Sequence, residues 1–142
     1  MKAIVLDHFS DVNKLKIKEI NQREIANNEV LIKTKAFSVN PVDVKVRANL
    51  APLAELLKDE KPLILGWDIS GEIIEIGDGV TDFKIGDDVF GMINFVGHGK
   101  TYAEYVAAPA NQLALKPKSI SHAEAAASTM AALTAWQAFN HY

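Results

Sequence analysis

The sequence predicts a mostly β domain, a small barrel or sandwich, closed by one C-terminal helix. Two patterns carry that expectation. Up to about Pro117, short apolar runs alternate with turn residues at strand-like spacing. From His122 to about Phe139 the chain is alanine-rich and contains neither proline nor glycine. A third observation, the complete absence of cysteine, excludes disulfides, thiolate zinc sites and a cysteine nucleophile.

Taken in order, Ala3 to Leu6 is a brief hydrophobic strand. Leu15 and Ile17 alternate with Lys14, Lys16 and Lys18, the period of a half-buried strand. Val30, Ile32, Thr34 and Ala36 hold the same period on a longer strand, with Lys33 and Lys35 on its other face. Asn40-Pro41-Val42-Asp43 reads two ways. Asn at an N-cap, Pro at the first helical position and Asp in the first turn start a helix. The alternation of Val42, Val44 and Val46 with Asp43, Lys45 and Arg47 favours a strand, and the two readings stay open.

Beyond Gly66, Ile69 to Ile76 is rich in β-branched residues and ends at the turn Gly77-Asp78-Gly79. Gly86-Asp87 makes a second turn before Val89 to Ile93, and Tyr102 to Ala108 and Leu113 to Leu115 are further strands. Ser121 and Glu124 have the spacing of a capping box and open the single long helix. It ends on Asn140-His141-Tyr142 without a stop signal, so the expectation is a piece of a longer protein.

At 142 residues the chain has material for one domain. A net charge of −3 with no basic segment argues against a nucleic-acid partner. No run approaches the roughly 18 apolar residues of a membrane span. The start, Met1-Lys2-Ala3-Ile4-Val5-Leu6-Asp7, reaches charge too early for a signal peptide, and a cytoplasmic location is expected.

Motifs that mimic known sites fail on spacing. Gly77-Asp78-Gly79 lacks the third glycine of a dinucleotide fingerprint, whose place Asp82 takes, and no helix opens after it. Gly99-Lys100-Thr101 lacks the earlier P-loop glycine, since Asn94 stands there, and runs into a strand pattern. Gly97-His98-Gly99 reads as a flexible loop. His8, His98, His122 and His141 form no ligand spacing and read as surface or packing histidines. Asp87 and Asp88 would point to opposite faces of a strand and could not share a proton. No serine lies in a nucleophile elbow.

Several stretches take the reading further. Val39 to Arg47 resembles the N-P-x-D-x-x-x-R element of the zinc-independent quinone oxidoreductases, the zeta-crystallin-like branch of the medium-chain dehydrogenase/reductase superfamily. Leu65 to Gly77 is similar to that family's G-x-D-x-x-G-x-V-x-x-x-G strand, and Phe83 to Gly91 to its F-x-x-G-D-x-V-x-G turn. Thr101 to Tyr105, then Ala125 to Ala127 with Leu133 to Trp136, complete the series in order.

The resemblance implies a GroES-like catalytic β-barrel over residues 1–120. Residues 121–142 would then be a helix connecting to an absent Rossmann domain. It also implies an NADPH-dependent quinone reductase, with NADH as the other cofactor choice. Hydride would pass directly to a quinone, enone or alkenal. The longer protein would be a homodimer, and this piece would be monomeric and inactive alone. Zinc alcohol dehydrogenases carry cysteine where Asn40 stands and histidine where Trp67 stands; an amide and an indole cannot replace them, so no metal is expected. By the same resemblance, Asn40 lies beside nicotinamide and acceptor, and Thr134 contacts the nicotinamide end. Trp67 and Asp68 border the former metal pocket, and Lys45 stands where relatives often have tyrosine, as a catalytic candidate. A reading from another class is a stand-alone GroES-like binding module without catalysis.

Overall fold

The structure is a computed structural model that describes residues 1–141; of His141 it describes the backbone only, so the reading of that histidine's side chain lies outside the described residues. A two-stranded antiparallel ribbon pairs β1 (Lys2–Val5) with β2 (Lys16–Glu19). The main sheet has five antiparallel strands: β3 (Glu29–Phe37), β4 (Asp68–Ile76), β5 (Asp88–Met92), β6 (Tyr105–Pro109) and β7 (Ala114–Leu115), in the order β6-β3-β4-β5-β7. Bridges from Ala3 to Ala103 and from Leu6 to Leu63 close the ribbon onto the rest. The architecture is the mostly β one expected, with helices at its edge.

Hydrophobic pattern selects the core. Val30, Ile32, Ile69, Ile73 and Val89 lose essentially all solvent exposure, and Val5, Leu6 and Ile93 pack with them. Lys33 and Lys35 remain exposed on the other face of β3, as the period-two alternation predicts. The Lys-rich ribbon strand differs from expectation. All four residues of β2 are exposed and Ile17 is 72% exposed, because β2 pairs only with β1 and contributes no side chain to the core cluster.

The open reading at Asn40 resolves as α1 (Pro41–Arg47). The Asp43 carboxylate accepts from the Asn40 amide at 2.7 Å, and Pro41 occupies the first turn. Helical spacing buries Asp43 and Val46 together and leaves Val44 half-exposed, which an alternating strand could not do. A short helix α2 (Pro52–Leu57), which the sequence reading did not assign, buries Leu53, Ala54 and Leu57.

The C-terminal helix is not continuous. Ser128 ends α3 (His122–Ala127), and α4 (Thr129–His141) follows it. The capping box is as expected, with Glu124 accepting from the Ser121 amide at 2.8 Å. Ala125 and Ala126 press α3 onto the sheet, while residues 131–140 of α4 are exposed, with Leu133 at 39% and Phe139 at 86%. His122 fixes the start of α3. The Ser70 hydroxyl donates to the Val89 carbonyl at 3.0 Å, so His122 Nδ1, 2.8 Å away, carries the proton of their bond. Nε2 lies 3.3 Å from Asp88.

Candidate active site

The end of β3, the start of β4 and the start of α4 converge on one carboxylate. The antiparallel register sets Phe37 opposite Ile69, which brings the residue after Phe37 to the residue before Ile69. Ser38 and Asn40, two apart on extended backbone, turn to the same side. The Ser38 hydroxyl donates to Asp68 Oδ2, and Asn40 Nδ2 donates to the same oxygen at 2.9 Å and to Ser38 Oγ at 3.0 Å. The other oxygen, Oδ1, accepts from the Met130 amide at 3.1 Å. Met130 lies in the first turn of α4, where backbone amides lack an intrahelical acceptor. Asp68 itself has no solvent exposure.

The Asn40 side-chain nitrogen is therefore turned inward, toward two acceptors that lie side by side, and Oδ1 is that side chain's other polar atom. On α4, the Thr134 hydroxyl donates to the Met130 carbonyl at 2.7 Å, which leaves its oxygen able to accept. One buried carboxylate thus stands between Asn40 and the helix that carries Thr134.

A second acidic group lies behind the first. Asp43 is 2% exposed and its Oδ1 has no hydrogen-bond partner among the described residues. Burial pushes its carboxyl above the usual range, and the nearby Asp68 charge adds to the effect. The Tyr102 hydroxyl is buried without a hydrogen-bond partner among the described residues, and burial with the Asp43 charge holds its phenol far above the ordinary value. Its ring packs on Phe37 with centroids 4.5 Å apart.

The remaining candidates sit elsewhere. Trp67 precedes Asp68 and, as strand geometry requires, points away from it. It is 1% exposed, its Nε1 donates to the Gly97 carbonyl at 2.8 Å, and Phe95 meets it edge-on at 5.7 Å. The loop read as flexible is thus pinned over the indole. A Cβ on Gly99 would come within 2.3 Å of the Gly66 carbonyl, and Gly66, at φ +93, would place one 2.2 Å from Thr101 Oγ1. Lys45 is exposed on α1, and its side chain joins no hydrogen bond or ion pair among the described residues. The structure brings Asn40 and Asp68 into contact, links Thr134 to them through Met130, and keeps Lys45 apart.

Ser38, Tyr102 and the Met130 amide were not read from the sequence as site groups. Ser38 carried a usable signal, its i, i+2 spacing to Asn40, which acquires meaning only once β3 is paired with β4. Among the described residues no group of three or more His, Asp or Glu is arranged to hold a metal ion.

Comparison with known proteins accords with this geometry. The alcohol dehydrogenase GroES-like domain model matches residues 26–118. The chain is 36% identical over 140 residues to a mitochondrial NAD(P)H oxidoreductase of Dictyostelium discoideum, covering 97% of this chain and 40% of that protein. To the chloroplastic NADPH-dependent alkenal/one oxidoreductase of Arabidopsis thaliana it is 36% identical over 141 residues, covering 95% of this chain and 36% of that protein. Among solved structures, the quinone oxidoreductase from Coxiella burnetii superposes with a TM-score of 0.96 at 41% identity, covering 99% of this chain and 44% of the other. The chain spans about two fifths of the length of these relatives.

Proposed function

The chain belongs to the alcohol dehydrogenase GroES-like domain family, in the branch of the quinone oxidoreductases, and on that premise we propose that it forms the acceptor-binding half of an NADPH-dependent, zinc-independent quinone, enone or alkenal reductase. The single observation that carries the reading is the Asn40 amide, whose nitrogen Ser38 and Asp68 hold in place. NADPH, when bound, supplies the hydride; NADH is the other cofactor choice.

What this chain contributes is orientation. Asn40 offers a fixed acceptor to the nicotinamide carboxamide. Thr134, its proton committed to Met130, accepts a second hydrogen bond at the nicotinamide end. Asp68 backs Asn40 from the buried side, and Trp67, which points the other way, holds the Gly97 loop that borders the neighbouring pocket wall. Lys45 stands apart on α1 and is kept as a catalytic candidate only by its motif position, and the proton for the reduced acceptor comes from water or a nearby donor. A conjugated acceptor takes hydride at carbon and delocalises the charge onto its own oxygen, so no Lewis acid is required. The amide and indole at positions 40 and 67 suit that chemistry better than metal ligation.

The residue division stands as proposed: 1–120 as catalytic barrel and 121–142 as the connection to a nucleotide-binding half. The exposed apolar side chains of Leu133 and Phe139 support a covering domain over α4. The longer protein is a proposed cytoplasmic homodimer, and this chain alone a monomer without turnover.

The test is NADPH oxidation with phenanthrenequinone and with an alkenal, by the longer protein, with and without a chelator. Expected is chelator-resistant turnover that falls about tenfold or more in Asn40→Ala, the scale of one lost hydrogen bond to a polar reacting partner. A folded protein that binds NADPH but reduces no quinone, enone or alkenal would overturn the assignment in favour of a binding module.

A further inference from the structure

We infer that Asp68 is the positioning residue of this site: one buried carboxylate sets the Asn40 amide and the first turn of α4 relative to each other. The inference rests on the proposed function for its consequence, but its geometry stands independently. Three donors from three elements meet on this group: Ser38 after β3, Asn40 at the start of α1, and the Met130 amide in α4. Its two oxygens divide the work. Oδ2 takes the Ser38 and Asn40 side chains, and Oδ1 takes the helix.

Only a carboxylate satisfies this arrangement, because it accepts at both oxygens and donates at neither. An amide in its place must aim an NH2 group either at Ser38 and Asn40 or at the Met130 amide, setting donor against donor. A neutral isostere therefore releases one of the two groups. Complete burial of Asp68 keeps water from substituting as acceptor. The Thr134 hydroxyl bonds to the carbonyl of the same Met130 whose amide Asp68 holds, so the register of α4 passes directly to Thr134.

The experiment reads geometry and chemistry separately. In the 142-residue chain, amide exchange of Met130 and of the Asn40 side-chain NH2 would be followed by NMR in the parent, Asp68→Asn and Ser38→Ala. Asp68→Asn is expected to speed exchange about tenfold or more at Met130 or at Asn40. Should that variant not fold, Ser38→Ala decides: it is expected to loosen the Asn40 NH2 and leave Met130 protected. Unchanged exchange at both groups in Asp68→Asn, or equal loss at both in Ser38→Ala, would overturn the inference.

In the longer protein, Asp68→Asn is expected to lower kcat about tenfold or more and to weaken NADPH binding alongside, because Asn40 and Thr134 both face the nicotinamide. A merely structural role would lower the melting temperature and leave kcat of the folded fraction intact, and that result also overturns it. If exchange responds as expected while even the parent lacks quinone turnover, the positioning role holds and the proposed function falls.

Discussion

Asp68 and Glu60 both gather partners from distant parts of the chain, and they differ in almost everything that follows. Asp68 is fully buried and takes three donors from three elements. Glu60 lies just after α2, with its side chain about one-third exposed at 32%; it pairs with Lys100, and His98 Nδ1 stands 3.8 Å away, beyond hydrogen-bond reach. Water can replace every partner of Glu60. It can replace none around Asp68. The same carboxylate chemistry therefore fixes architecture in one place and decorates a surface in the other.

The sharpest way to break this contrast is to delete both groups. Asp68→Ala leaves a buried helix amide and two side-chain donors without an acceptor, and should cost about 3 kcal/mol in a denaturant titration. A loss no larger than that of a surface variant would erase the distinction. Glu60→Gln should cost less than about 1 kcal/mol, because an exposed pair with lysine is screened by water and salt.

Asp43 sharpens the comparison with an opposite sign. Its carboxyl is raised by burial, so the charged form opposes folding. That penalty is absent below the ordinary carboxylate range, grows as pH rises toward the elevated folded value, and is complete above it. Asp43→Asn, which can still accept from the Asn40 amide, should melt higher than the parent at neutral pH and converge with it in acid. For Glu60 the Lys100 contact holds the carboxyl low, so its small contribution is complete above the ordinary value and is lost as pH falls through the lowered one. A thermal melt series from neutral pH to pH ~4 separates the two directions.

The smallest effect belongs to Asp7, which bonds Lys18 at 2.5 Å on the exposed ribbon. Asp7→Asn should leave the melting temperature unchanged within error at moderate salt. A measurable loss there would mean that the ribbon's charge pairs hold it to the barrel.

Much of the fold was legible in advance because its signals are local. The alternation from Val30 to Ala36, the run Ile69 to Ile76 and the Ser121–Glu124 cap each state their structure within a few residues. The candidate site was legible in part. Asn40 and Asp68 could be named from motif resemblance, but the hydrogen bond between them spans 28 residues and depends on strand register. Lys45 was named by the same route, and its solvent-facing place on α1 follows from helical rather than strand geometry.

The sequence by itself determined the strand periods of the main sheet, its core face, the helix start at Ser121 and the lack of any thiolate ligand. These depend on neighbours three or four residues away at most, or on composition alone. Tertiary structure decided what depends on partners. It chose helix over strand at Pro41, since only a helix buries Asp43 with Val46, and it divided the alanine-rich segment at Ser128, where α3 leaves the sheet. It left Ile17 in solvent because β2 pairs only with β1. Above all, it made Asp68 the meeting point of three elements: a buried carboxylate must find its donors wherever the packed chain brings them, and no local pattern records where that will be.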